Sequence, residues 1–326
     1  MYTDSLYATT ITPEPVVQDV LDSKAMRRLH GVLQHGITAV LGITQPITRY
    51  QHSVGAMLVV RRMGGDIREQ LAALLHDISH TAFSHVIDHV WDSAATQSYH
   101  DRVKESYVAE TDLPAVLAAH GYDWRELIDE TQFPLLEQPA PALCADRLDY
   151  FLRDARALGL ATQEDVQRVL AHLVVHNGRL MVNDPELANW LGMQFMAADH
   201  ASWSNWREVG LYELTALAIR RGLAVGAITE ADFWLTDAVV WHKLHAHPDA
   251  ELHHWLDLVH PETSFVWDEE MPTFTVTTKI RTIDPDVVQK GVARPLSAIS
   301  PEFAAERESY IGRKSVPWPM RALKNK

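Results

Sequence analysis

The stretch "LLHDISHTAFSH", residues 74–85, sets three histidines and an aspartate into otherwise apolar, helix-like sequence. Neighbours in a helix point about 100° apart, so His76 and Asp77 cannot address one point from mid-helix. A helix opened by the capping-box arrangement Asp66 and Glu69 should end near here, before Ser79, where relaxed dihedrals let both side chains converge. Imidazole with carboxylate suits a borderline-to-hard divalent ion. Two more ligands must then come from other helices. His52 in "TRYQHSVGAM" and Asp146 in "CADRLDYFLRD" are placed for it, the latter among apolar Leu143, Leu148, Phe151 and Leu152. Two histidines and two aspartates would neutralise the ion and leave positions open for water and substrate, as a catalytic site requires.

The elements that must position these residues are mostly helical. "VVQDVLDSKAMRRLHGVLQHG" opens a 3.6-residue period, and "YQHSVGAMLVVRRMGG" continues it to a stop at Gly64-Gly65. "PALCADRLDYFLRDARALG" has Pro141 near its start and Gly159 past its end. "VVHNGRLMV" reads as a hairpin turning at Asn177-Gly178, and helices resume over 185–258. "TFTVTTKIRTI", 273–283, alternates as a strand does, and the Pro-broken, basic "RKSVPWPMRALKNK" reads as a surface tail. The expected fold is mostly α: a helical-bundle core over 1–160, and an α-rich extension with small β elements over 161–326, packed as one unit.

Composition narrows the partners. A net charge of −14 argues against a nucleic-acid backbone as the main partner, while a small anion remains open to a local cationic pocket or a metal. The lone Cys144 excludes an intramolecular disulfide and a Cys-rich zinc site, which points to a reducing compartment. No signal-like start or membrane-length apolar run is present, so a cytoplasmic protein is expected.

The ordered set "TRYQHS", "LLHDISHTAFSH" and "DRLDYFLRD" resembles the HD-domain phosphohydrolases, nearest the branch of the deoxynucleoside triphosphate triphosphohydrolases such as the SAM-and-HD-domain enzyme. The likeness runs over about residues 20–160 and continues more weakly through "KIRTIDPDVV" and "RPLSAISPEF". It implies metal ligation by His52, His76, Asp77 and Asp146, without choosing among Mn, Mg, Fe, Zn, Ni and Co, and with room for a second ion bound alongside substrate. Arg49 matches an arginine at the α-phosphate, and Arg147 and Tyr150 match phosphate contacts, with arginine where the relative has lysine. Asp154 matches the reader of the sugar 3′-hydroxyl, and Gln34 a glutamine near sugar and base. His80, His85, Asp88 and His100 match the catalytic cluster, with His85 as the acid that protonates the departing ester oxygen. Asp101 stands where glutamate is usual.

One departure bears on substrate. The relatives' tyrosine-x-histidine-lysine run reads "NWREV" here, 205–209, with Arg207 as its single cation and Glu208 set to repel a tail phosphate. The leading expectation is release of triphosphate from a deoxynucleoside triphosphate. A 5′-nucleotidase or other phosphomonoesterase is the alternative, and a nucleotide-binding module without turnover a third reading. Homo-oligomers are expected from the relatives. The GYP signature of cyclic-dinucleotide phosphodiesterases is absent, Gly121-Tyr122-Asp123 being no substitute. The histidines of 241–260 (His242, His245, His247, His253, His254 and His260) lack carboxylates at ligand spacing and read as a hydrated helical face. Trp203, Trp206, Trp234, Trp241 and Cys144 read as packing.

Overall fold

The computed structural model describes residues 1–91 and 94–324. Its centre is helix Arg49–Arg62, buried on nearly every side from Tyr50 to Val60. Thr48 starts it: its Oγ accepts from Gln51 N at 3.1 Å, while the Gln51 side chain accepts from Thr48 N. A helix buried on nearly every side must be enclosed by others. Here helices Ile67–Leu75 and Ala145–Ala157 pack against it.

Asp66 caps the Ile67 helix by accepting from Glu69 N at 2.9 Å. The expected capping box does not close. Glu69 turns away to accept from Leu135 N and Leu136 N, at 2.7 and 3.2 Å, in the loop that leads to the Ala145 helix. The opening helical stretch is also broken, into Pro15–Asp22 and Lys24–Arg28, by Ser23, which caps the second piece.

The β structure is peripheral. Leu173–His176 and Arg179–Val182 form the expected hairpin, and Asp286–Gln289 and Val292–Pro295 extend it to four strands. Tyr2–Asp4 and Thr9–Ile11 pair at the N-terminal end. Two expectations need correction. Only Phe274–Val276 of the 273–283 run is a paired strand, the rest being extended chain without a β partner. The supposed surface tail holds Trp318–Leu323, the central strand of a three-stranded sheet between Ser264–Trp267 and Phe274–Val276.

The cores run across residue 160. Val54, Leu74 and Phe151 share one with Phe195, Ile283 and Phe303. Ile37, Phe83 and Val86 share a second with Leu214, Phe233 and Leu252. No described helix is long and apolar enough to cross a membrane.

Candidate active site

The Ile67 helix ends at Leu75, and His76 and Asp77 follow it into a series of turns. His76 Nδ1 lies 2.7 Å from Ala73 O, which can only accept, so Nδ1 carries a proton and Nε2 is the atom turned into the site. On the central helix, His52 Nδ1 lies 2.8 Å from Asp149 Oδ2, which fixes the same tautomer. The two Nε2 atoms face each other at 3.1 Å, with Asp146 Oδ1 3.0 Å from that of His52 and 3.4 Å from that of His76. Asp77 stands 3.5 Å from His52 Nε2 and 3.6 Å from His76 Nε2, one oxygen held by Arg49 and the other 3.2 Å from His80 Nε2.

Two Nε2 atoms turned on each other beside two carboxylates call for positive charge between them, a proton or a metal ion. That donor set fits a divalent metal held by imidazole and carboxylate. The same acidity draws protons: burial pushes the His76 imidazolium down, but the charges of Asp77 and Asp146 overcome it and hold it at about 10.

A second cluster adjoins the first. Phe83 and Ser84 both adopt left-handed dihedrals, φ 61° and 49°, which cost side-chain-bearing residues about 1–3 kcal/mol each. Hydrogen bonds hold the bend: Phe83 N donates to Asp237 at 2.8 Å, and Ser84 Oγ donates to Leu33 O at 2.6 Å. The bend starts the short helix Val86–Val90 with His85 at its cap, where Asp88 Oδ2 meets His85 Nδ1 at 3.1 Å. His100, from helix Tyr99–Ala109, stacks on His80 at 4.0 Å between ring centres, and His85 is edge-on to both. Burial, then the Arg49 charge, pushes His80 down to about 3. His85 is held well below its ordinary value by burial, Arg49, Arg281 and Lys279 in that order. Both shifts favour the neutral imidazole, and an anion beside those cations would oppose them.

Both clusters open on one cleft of about 600 Å³, inside the range of about 300–1,000 Å³ common to small-molecule sites. The family's sequence pattern matches residues 49–154 as "HD domain". A metal-dependent phosphohydrolase, cns2, of Cordyceps militaris is 39% identical over 317 residues, covering 94% of this chain and 91% of its own. This chain is an HD-domain metal-dependent phosphohydrolase. A solved phosphohydrolase of Bacteroides thetaiotaomicron shares the fold with a TM-score of 0.64 at 18% identity, over 92% of this chain and 94% of that one. A Danio rerio deoxynucleoside triphosphate triphosphohydrolase is 23% identical over 236 residues, 55% of this chain and 38% of that protein.

In this HD-domain phosphohydrolase the remaining expected residues also reach the cleft, in differing states. Gln34 presents a buried Oε1 with no hydrogen-bond partner. Arg49 donates to Asp77 and, at 3.1 Å, to Ser84 Oγ. Arg147 is clamped to Glu137 at 2.8 Å and to the carbonyls of Gln138 and Ala142. Asp154 already accepts from Trp203 Nε1 at 2.6 Å and lies 2.8 Å from His35 Nε2, so a sugar hydroxyl would need its second lone pairs. Tyr150 packs edge-on to Trp203. The departure at "NWREV" sends no cation to the cleft, since Arg207 donates to Pro261 O and Glu208 accepts from Thr38.

Sequence reasoning missed five residues. Asp149 orients His52, and its place three residues after Asp146 on one helix face was the available signal. His35 partners Asp154 with no motif around it. Lys279 and Arg281 lie in "KIRTIDPDVV" and Arg307 just beyond "RPLSAISPEF", the weakly matching stretches that carried no assigned role.

Proposed function

We propose that this phosphohydrolase acts on nucleotides, and that hydrolysis of a deoxynucleoside triphosphate to deoxynucleoside and triphosphate fits its cleft best. One observation carries the reading: the two polar clusters share a single cleft with an aromatic wall. Tyr150, Phe195 and Trp203 form that wall, and the same cleft is lined by Gln34, whose unpartnered Oε1 is an acceptor for a base or sugar donor.

His52, His76, Asp77 and Asp146 are the residues proposed to hold the ion, which when bound supplies Lewis acidity toward phosphoryl oxygen and water. Arg49 keeps Asp77 charged and directed through its ion pair and stands beside the α-phosphate. In the reaction a bond forms between water oxygen and the α-phosphorus, and the bond to the 5′-oxygen breaks. The leaving alkoxide needs a proton. His85, oriented through Nδ1 by Asp88, delivers it from Nε2, with His80 and His100 stacked behind as the relay.

A second reading, a 5′-nucleotidase, draws on the absence of cleft cations from 205–209. Incubating the metal-loaded protein with deoxynucleoside mono- and triphosphates in ¹⁸O water decides. Intact triphosphate bearing the label supports attack at the α-phosphorus. Orthophosphate as the sole phosphorus product, from monophosphates alone, replaces it with the second reading. Size exclusion with light scattering on the same sample tests the proposed homo-oligomer.

A further inference from the structure

Five cations line the cleft, and they fall into two groups. Arg49 is paired with Asp77 and Arg147 with Glu137, so their charges are already offset by carboxylates. Lys279, Arg281 and Arg307 have no ion pair among the described residues, in a chain whose net charge is −14. Uncompensated cations gathered on one wall repel one another, and a fold tolerates that where an anion is to be received.

The wall is held in place before any ligand arrives. The chain from 277 to 285 is fastened on three sides. Arg281 N donates to Asp199 Oδ1 at 3.2 Å, Asp284 N to Pro141 O at 2.8 Å, and Arg307 Nε to Thr282 Oγ1 at 3.0 Å. Asp199 is itself locked by Tyr310 and Ser204, each at 2.7 Å. The Arg281 guanidinium rests on Gln97 and over the Trp203 ring, yet its Nη1 is buried without a partner. Lys279 makes no hydrogen bond among the described residues and stands open to the cleft.

We propose that Lys279, Arg281 and Arg307 form a polyphosphate subsite that receives the phosphates beyond the reacting one. The proposal rests on the nucleotide reading above and deepens it. These cations replace what the 205–209 segment fails to supply, and they come from outside the matched HD region of 49–154. Each donates to non-bridging oxygens of a β- or γ-phosphate, so affinity for an inorganic anion should grow with its number of phosphates. No bond is made or broken at this wall.

The test is calorimetric titration of the metal-loaded protein with magnesium tripolyphosphate and, separately, with orthophosphate. Tripolyphosphate should bind the wild type more tightly. In Lys279→Gln and Arg307→Gln that advantage should shrink about tenfold each, the loss of one charge-assisted hydrogen bond. Lys279→Gln is the decisive variant, because its side chain holds no other part of the fold, and exposed Arg62→Gln is the charge control. An unchanged preference in both subsite variants, or an equal loss in Arg62→Gln, overturns the proposal. The two readings fail separately. If only monophosphates are hydrolysed, the triphosphatase reading falls while the titration still reports on the wall. If triphosphate is released but the variants bind tripolyphosphate as wild type does, the wall falls and the reaction stands.

Discussion

Asp149 never reaches the cleft, yet it determines what His52 offers there. Its carboxylate receives His52 Nδ1 and Arg153 Nε at 2.8 Å each and the Tyr7 hydroxyl at 2.7 Å. With Nδ1 protonated, His52 keeps its lone pair on Nε2, the atom a metal needs. In Asp149→Asn one acceptor becomes a donor and the tautomer is no longer imposed. Metal affinity should fall about 10–100-fold, the usual size of such outer hydrogen bonds, as read by competition with a chromogenic chelator. Wild-type affinity would remove His52 from the proposed ligands. The cluster of His52, His76, Asp77 and Asp146 was legible because residues of two sparse types recurred in a known order. Asp149 and His35 were not, because their importance comes from partners 97 and 119 residues away, which no local spacing encodes.

At the scale of elements, the central helix touches the Ala145 helix where Gly55 leaves room. A Cβ at Gly55 would lie 1.9 Å from Asp149 Oδ1 and 2.2 Å from Arg153 Nη2. Gly55→Ala must therefore part the helices or displace the Asp149–Arg153 pair. Overpacking of this kind costs about 1–3 kcal/mol, so thermal unfolding should come several degrees lower, and metal affinity should fall with it. A variant as stable as wild type with intact metal binding would show that this approach is not tight. The helices themselves could be read from their period and caps. The 273–283 run could be read as extended but not as unpaired: Val276, Thr278 and Thr282 are buried while Thr277 and Lys279 are exposed. Alternation reports a chain lying along a surface, not a ladder beside it. The last strand was hidden by Pro319, which normally argues against a central strand. Here its carbonyl still accepts from Asp268 N at 3.0 Å.

Across the whole molecule, Asp237 joins what the sequence suggested were two halves. It accepts from Leu33 N at 2.9 Å and Phe83 N at 2.8 Å, tying helix Asp237–Ala246 to the segments that carry Gln34 and His85 into the cleft. Burial pushes its carboxyl up to about 6, although those N–H groups and the Arg28 and Arg49 charges pull it down. An unfolded aspartate titrates near about 3.9. Between these values the folded chain binds more protons, so this group's contribution to stability is greatest below the unfolded value and declines as pH rises through about 6. Urea unfolding should show Asp237→Asn losing about 1–3 kcal/mol less than wild type between pH 4 and 7. Equal losses would place the carboxyl's titration elsewhere. The sequence could not show this joint, since one aspartate at a helix start looks like an ordinary cap. The first residues carry a comparable long-range tie: Tyr7 reaches Asp149 across 142 positions, and Asp4 holds Arg153 at 2.8 Å. A nascent chain leaving the ribosome thus cannot finish the support behind His52 until residue 153 has emerged. Residues 4 and 7 must wait, and the pocket matures only when they are brought back to meet a helix made much later.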